Sequence, residues 1–276
     1  MNDATRTMRR RTYLMCRPLH FDVTYSINPW MDPGRPTSPD VGLTQWKWLH
    51  DQLVDLGHRV VLIEPEPGLP DMVFAANGAI TVDGRALVAR FRHDCRTGES
   101  RAYLEWFRRN GWAEVAQARH VNEGEGDFLL VGDQFLAGSG FRTEPRAHEE
   151  VATFFGRDVV GLTLIDPRFY HLDTALAVLD DDEVMYYPPA FSPESRERLA
   201  ADFPDAVLVG EAEAEAFGVN AVSDGVHVLL PEHGGRLAGQ LAERGYVPIG
   251  VDMSELLKAG GAVKCCANEL RGGPDD

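Results

Sequence analysis

Two of the chain's four cysteines, Cys265 and Cys266, sit side by side in the stretch KAGGAVKCCANEL at 258–270. A disulfide between adjacent residues is strained, and four scattered cysteines in 276 residues do not make a disulfide framework. A metal site normally carries a spaced CxxC or HxxxH companion, and none is present. Two roles stay open on the residues alone. One is a nucleophile; the other is small side chains packed in a core, the commoner fate of a cysteine with apolar neighbours. Gly260-Gly261 just upstream let backbone and substrate come close, and the charge of Lys264 favours a thiolate.

Other stretches carry weaker signals. In RFYHLD (168–173), a β-strand would turn His171 and Asp173 to the same face. An imidazole beside a carboxylate suits proton transfer near neutral pH, and a surface histidine next to an exposed aspartate is the plainer alternative. NEGEGD (122–127) interleaves glycines with acids and could gather carboxylates around one cation, or be a solvated turn; the spacing of a calcium-binding EF-hand is absent. LPDMVFAANG (69–78) reads as an apolar strand running into an Asn-Gly turn, and SINPWM (26–31) as a polar-aromatic loop that covers a site or simply packs.

The elements that must position these residues recur along the chain. Amphipathic helices are expected over Gly42–Leu56, Glu99–Asn110 and Glu144–Phe155, from Ser192 as N-cap with Pro193 in the first turn, and around Arg236–Arg244. Between them lie alternating runs at 79–90, 128–140, 172–187 and 221–230, two of them folding about Asp83-Gly84 and Asp224-Gly225, and short runs such as HRVVLIEP and YVPIGVD follow helices. The helices start about 45–55 residues apart, each interval holding hairpin, helix and strand, which suggests five ββαβ-like units. A doubly wound sheet competes, but no glycine-rich phosphate fingerprint follows any strand. No Pro/Ser-rich linker divides the chain, so one domain over 1–276 is expected, with 1–11 a flexible N-terminal tail.

Composition narrows the function classes. With 44% hydrophobic and 25% charged residues the chain is an ordinary globular one, and a net charge of −16 argues against a nucleic-acid surface. No apolar run approaches the roughly 18 residues of a membrane helix, and the charged N-terminus lacks the apolar core of a secretory signal. A cytoplasmic setting is expected; a homo-oligomer is left open.

Taken in order, PDMVFxAN, EGxGD, GFRTE, FYHLD and a late GGxxKC resemble the guanidino-group-modifying (amidinotransferase) superfamily, over 16–270. INPWM, PDMVFxAN, RFYHLDT and KAGGAxKC are most similar to the arginine dihydrolase domain, with arginine deiminases and dimethylargininases more distant. The resemblance implies an α/β fold, a five-bladed α/β propeller of pseudo-fivefold ββαβ repeats. It implies Cys265 as nucleophile, His171 as general acid/base and Glu123 (rather than Glu125) as catalytic carboxylate. Asp173 and Asp71 would then hold charged groups of the substrate, Arg90 and Arg142 its α-carboxylate, and Asn77 and Asn28 would match asparagines of dihydrolases. Ala76-Asn77 stands where dimethylargininases commonly have Glu-Asp, and Asp173 where they have Lys. The implied activity is hydrolysis of guanidino C–N bonds of arginine through a covalent thiouronium, with no metal or cofactor, giving ornithine, ammonia and CO2. Dimethylargininase, or a deiminase stopping at citrulline, is the alternative; a catalytically silent ligand-binding propeller is the reading of another class.

Overall fold

The computed structural model describes residues 6–232 and 235–274. The secondary structure repeats one plan. The first unit holds β1 (Thr12–Cys16), α1 (Pro39–Asp55) and β2 (Arg59–Ile63). Then come β3 (Ala79–Val82), β4 (Arg85–Val88), α2 (Thr97–Arg109) and β5 (Glu114–Gln117), followed by β6 (Phe128–Val131), β7 (Gln134–Ser139), α3 (Arg146–Phe155) and β8 (Val159–Thr163). The fourth unit is β9 (Leu176–Val178), β10 (Val184–Tyr186), α4 (Pro193–Asp202) and β11 (Val207–Leu208), with a short α5 (Glu211–Glu215) behind it. The fifth is β12 (Val222–Ser223), β13 (His227–Pro231), α6 (Arg236–Glu243) and β14 (Val247–Val251), and the chain ends on β15 (Asn268–Leu270).

Each unit makes a three-stranded sheet in which the first two strands pair antiparallel and the strand after the helix adds parallel. In the remaining sheet, β15 takes the first-strand place, pairing Leu270 with Thr12 and Asn268 with Leu14. Both ends of the chain thus share one sheet. The five sheets are compatible with a five-fold propeller-like arrangement. Among the described residues no helix is long and apolar enough to cross a membrane.

The expected helices form for the expected reasons. Ser192 accepts from the Ser195 N–H and Pro193 fills the first turn of α4. Gly156 stops α3 at φ 66, a conformation that favours glycine. Leu237 and Leu241 bury one face of α6, and Trp46, Leu49 and Leu53 bury that of α1. α1 begins at Pro39, before the Gly42 expected, because its first turn is polar and invisible to apolar periodicity. For the same reason Leu43, expected on the buried face, is exposed, while Gly42 lies against Phe21 and Glu255. The Asp83-Gly84 turn takes positive φ at both residues, as the tightest hairpins require.

Of the tail expected over 1–11, residues 1–5 fall outside the described ones. Residues 6–11 are tied down: Arg6 stacks on the Tyr246 ring and pairs with Glu183, and Arg9 pairs with Asp180. The Arg9 N–H donates to the Asp224 carbonyl. Asp224 itself fixes the β12–β13 hairpin, accepting from the Val226 and His227 N–H groups (2.8 and 2.7 Å) and from His227 Nδ1, with His58 Nε2 3.4 Å away. Burial opposes its ionisation, but the imidazoles and backbone donors win and hold the carboxyl below its ordinary range. Asp224→Ala should therefore cost on the order of 2 kcal/mol or more in urea unfolding. The sign with pH follows: this contribution is fully present above the unfolded-state value of about 3.9 and is lost as pH falls through the lower folded value. The stability gap between wild type and Asp224→Ala should close in acid.

Candidate active site

A short helical turn lies at the entrance to β3, β6 and β9, and the entrances to the first strands carry the candidate residues. Asn77 closes the turn before β3, Glu123 opens the one before β6, and His171 opens the one before β9, which contains Asp173. Asn220 stands just before β12 and Cys265 just before β15. Distant in sequence, they meet in two groups: His171 with Glu123, and Asp173 and Asn220 with Cys265.

Cys265 is buried, with Sγ 3.4 Å from Asp173 Oδ2, and Asn220 Nδ2 reaches the same sulfur at 3.2 Å. The Cys265 carbonyl accepts from the Ala76 N–H at 3.0 Å, tying the cysteine's turn to that of Asn77. The segment is a turn, not the extended strand that would send Cys266 to an opposite face, yet Cys266 is fully buried all the same. All four cysteines are free thiols. Gly260 (φ 80) has Asn28 and Tyr170 so close that a Cβ would meet them at 2.9 and 3.1 Å, so this glycine admits neighbouring side chains. Lys264 gives its ammonium to Glu125 (2.7 Å) and the Ala267 carbonyl (2.9 Å), not to the thiol. Burial, then the charge of Asp173, pushes the Cys265 thiol well above its ordinary range.

His171 and Asp173 do not lie on a strand. His171 caps a turn at Leu172–Thr174 and Asp173 lies within it, so His171 faces Glu123 while Asp173 faces the sulfur. His171 Nε2 stands 2.7 Å from Glu123 Oε2, which also accepts from Arg142 Nη1 at 2.7 Å. Burial pushes the Glu123 carboxyl up, but Arg142 and then His171 pull it well below the ordinary range. An ionised carboxylate only accepts, so Nε2 carries the proton and the partnerless Nδ1 is the atom left to exchange one. Asp173 is pushed up to about 7 by burial, against the pull of Lys264 and of hydrogen bonds from Cys265 and Asn220.

Glu125 points the other way. Fully buried, it receives Lys264, Arg271 and the Glu269 N–H, a structural ion cluster. Asp127, which the sequence reading passed over, accepts from Thr143 Oγ1 (2.7 Å) and the Leu172 N–H (3.1 Å) and so braces the turn that carries His171.

Asp71 receives the Tyr25 hydroxyl at 2.9 Å, and burial raises its pKa, opposed first by Arg96. Asn77 Oδ1 accepts from Arg96 Nη1 at 2.9 Å while its Nδ2 is buried without a partner. Gly126 lies against this amide: a Cβ there would collide with Asn77 Nδ2 and sit 3.3 Å from His171 Nδ1. Asn28 is occupied as a staple, Nδ2 on the Ala259 carbonyl and Oδ1 under the Trp30 and Met31 N–H groups. Arg142 also donates to the Ile27 carbonyl, so the 26–31 loop is anchored to the site. Arg90 is set apart, its side chain exposed and its backbone bridged to Asn122. The arginine inside is Arg96, fully buried between Glu99, Asn77 and Asp71. Its sequence signal, Arg-x-x-Glu entering a helix, resembles an ordinary surface pair. No group of three or more His, Cys, Asp or Glu that could hold a metal occurs among the described residues.

A family model described as arginine deiminase matches residues 47–219. The chain belongs to that family. It is 56% identical over 267 residues to an N(G),N(G)-dimethylarginine dimethylaminohydrolase of Mycobacterium tuberculosis, covering 97% of this chain and 88% of that protein. It is 38% identical over 258 residues to the bifunctional arginine dihydrolase/ornithine cyclodeaminase ArgZ of Synechocystis, covering 91% of this chain and 36% of that longer protein. The crystal structure of the N-terminal domain of ArgZ, as a cysteine-to-serine variant bound to substrate, superposes with TM-score 0.91 at 36% identity, over 95% of this chain and 98% of that domain. A dimethylarginine dimethylaminohydrolase adduct with S-methyl-L-thiocitrulline, at 21% identity and TM-score 0.82, shares the fold.

For a member of this family the two glutamates of EGEGD should separate cleanly. Glu123→Gln should lower turnover roughly a hundredfold or more, the loss expected when an acid/base assembly is broken. Glu125→Gln should instead lower stability by about 3 kcal/mol, since two buried cations lose their counter-charge, while the folded fraction keeps its kcat. Thermal melting and steady-state rates on the two variants check this; exchanged effects would reassign the carboxylate.

Proposed function

We propose that this chain is an arginine dihydrolase, converting arginine and two waters to ornithine, two ammonia and CO2 by two successive attacks of Cys265. We read the five sheets as blades of one propeller and one domain, with the β1–β2–β15 sheet closing it. The free thiols support a reducing, cytoplasmic setting.

The observation that carries the reading is the amide of Asn77. Arg96 occupies its oxygen, so the group it offers the site is an N–H donor beside His171 Nδ1. A guanidinium is all donors and gains nothing from another. The ureido oxygen of citrulline is an acceptor and matches it. A carboxylate here would hold the cation and repel the second-round carbonyl. Asn77 thus favours a site that keeps its first product for further attack.

In the first round the guanidinium enters between Asp173 and Glu123, displacing Arg142 from Glu123. Its positive charge beside Sγ lowers the cost of the thiolate, which burial and Asp173 otherwise disfavour. Held in line, the sulfur yields its proton to His171 Nδ1 and attacks the guanidino carbon; Nδ1 then protonates the departing nitrogen, and ammonia leaves an S-alkylthiouronium on Cys265. The same nitrogen then takes a proton from water, which attacks the thiouronium carbon and expels the thiolate, giving citrulline. The second round attacks the ureido carbon, with Asn77 Nδ2 donating to its oxygen as negative charge develops there. Loss of the second ammonia and hydrolysis leave ornithine carbamate, which breaks to ornithine and CO2. Arg142, once freed, and Arg96 supply the cationic end for the α-carboxylate, the part first expected of Arg90, and Asp71 holds the α-ammonium.

The second reading is a dimethylargininase, favoured by the 56% identity to a protein of that name. It would release dimethylamine and stop at citrulline. Arginine and dimethylarginine supplied side by side distinguish the two. The dihydrolase should form ornithine from arginine, and Asn77→Asp should accumulate citrulline with ornithine reduced about tenfold or more, one charge-assisted contact being worth that much. Citrulline as the sole product of the wild type, or dimethylarginine turned over faster than arginine, would contradict it.

A further inference from the structure

Asn220 is fully buried between the turn that carries the nucleophile and the turn that carries Asp173. Its Oδ1 accepts from the Lys264 N–H (2.9 Å) and the Cys265 N–H (3.3 Å). Its Nδ2 donates to the Asp173 carbonyl (3.0 Å) and to Cys265 Sγ (3.2 Å). Two backbone N–H groups can only face the amide oxygen, so chemistry alone fixes the NH2 toward the sulfur. Both lone pairs and both hydrogens are then used.

The groups around the sulfur make that donor consequential. Asp173 and Cys266 oppose negative charge there, Tyr170 stands in the same field, and Lys264 is bound to Glu125. The Ala262 backbone and Asn220 are what favour an anionic sulfur. Asn220 also stands at the entrance to β12, the position that Asn77, Glu123, Asp173 and Cys265 occupy before the other hairpins.

We propose that Asn220 is the pre-oriented donor that stabilises the Cys265 sulfur as it becomes a thiolate and aims it, one amide fixing the nucleophile's backbone and its side chain together. This rests on Cys265 being the nucleophile. A donor held in place by two backbone N–H groups needs no reorganisation as charge forms on the sulfur. Its loss leaves the site assembled but the thiol harder to ionise.

Asn220→Asp tests this on the full chain. It keeps the shape and the acceptor for both backbone N–H groups, removes the donor, and sets an anion by the sulfur. Iodoacetamide is the probe: the rate of Cys265 alkylation is followed across pH by peptide mass, alongside steady-state turnover of arginine. Expected are a pH profile displaced upward and a kcat lower by roughly ten- to hundredfold, the worth of one hydrogen bond to a charged group, with KM little changed. A profile superimposable on wild type, even with a lowered melting temperature, would overturn the proposal by leaving Asn220 a structural role alone. Asn220→Ser, whose hydroxyl is too short to bridge the turns, is read on the same profile if Asn220→Asp does not fold. Cys265→Ser separates the premises: if it still turns over arginine, the nucleophile assignment falls. If it is inactive while both Asn220 variants titrate as wild type, only the role of Asn220 falls.

Discussion

A buried carboxylate needs a cation or donors, and that constraint organises this molecule. Asp71, Glu99, Glu123, Glu125, Asp127 and Asp173 are all buried around the entrance turns. Glu99 is answered by Arg96, Glu125 by Lys264 and Arg271, and Asp127 by a hydroxyl and a backbone N–H. Glu123 is answered by Arg142 and His171. Asp173 is the least compensated: one oxygen lacks a partner, the other faces a thiol, and its pKa stands at about 7. Asp173 is thus the buried acid left facing the site without a cation, and under the proposed function the substrate's guanidinium supplies one. Fold stability and substrate choice are therefore two faces of one electrostatic requirement.

Much of the scaffold was legible in the sequence because it is written locally. Helix caps such as Ser192-Pro193, stops such as Gly156 and the Asp83-Gly84 turn need only neighbours to act. The fivefold spacing of helices followed from the same signals. What stayed hidden depends on partners far along the chain. Arg96 is drawn inward by Asn77, nineteen positions earlier, and Asn220 by Cys265, forty-five positions later. The strand expected for His171 and Asp173 is a turn, because each must face a different partner. One signal for Asn220 was present: it occupies the same place relative to its hairpin as Asn77 and Cys265 do to theirs. Repeat equivalence, applied residue by residue, would have singled it out.

Under the proposed dihydrolase reaction, the choice between one round of hydrolysis and two turns on which end of the Asn77 amide meets the substrate. Asn77 is oriented by Arg96, and Arg96 is held by Glu99, so the donor that faces the site is set two residues away from it.

In the proposed reaction Cys265, and not its neighbour, carries the guanidino carbon within each turnover. Acid quenching of the enzyme during turnover of arginine labelled at that carbon, followed by peptide mapping, tests it directly. Label is expected on the Cys265 sulfur, absent in Cys265→Ser and undetectable on Cys266. Label on Cys266, or turnover at full rate with no labelled cysteine at any quench time, would contradict it.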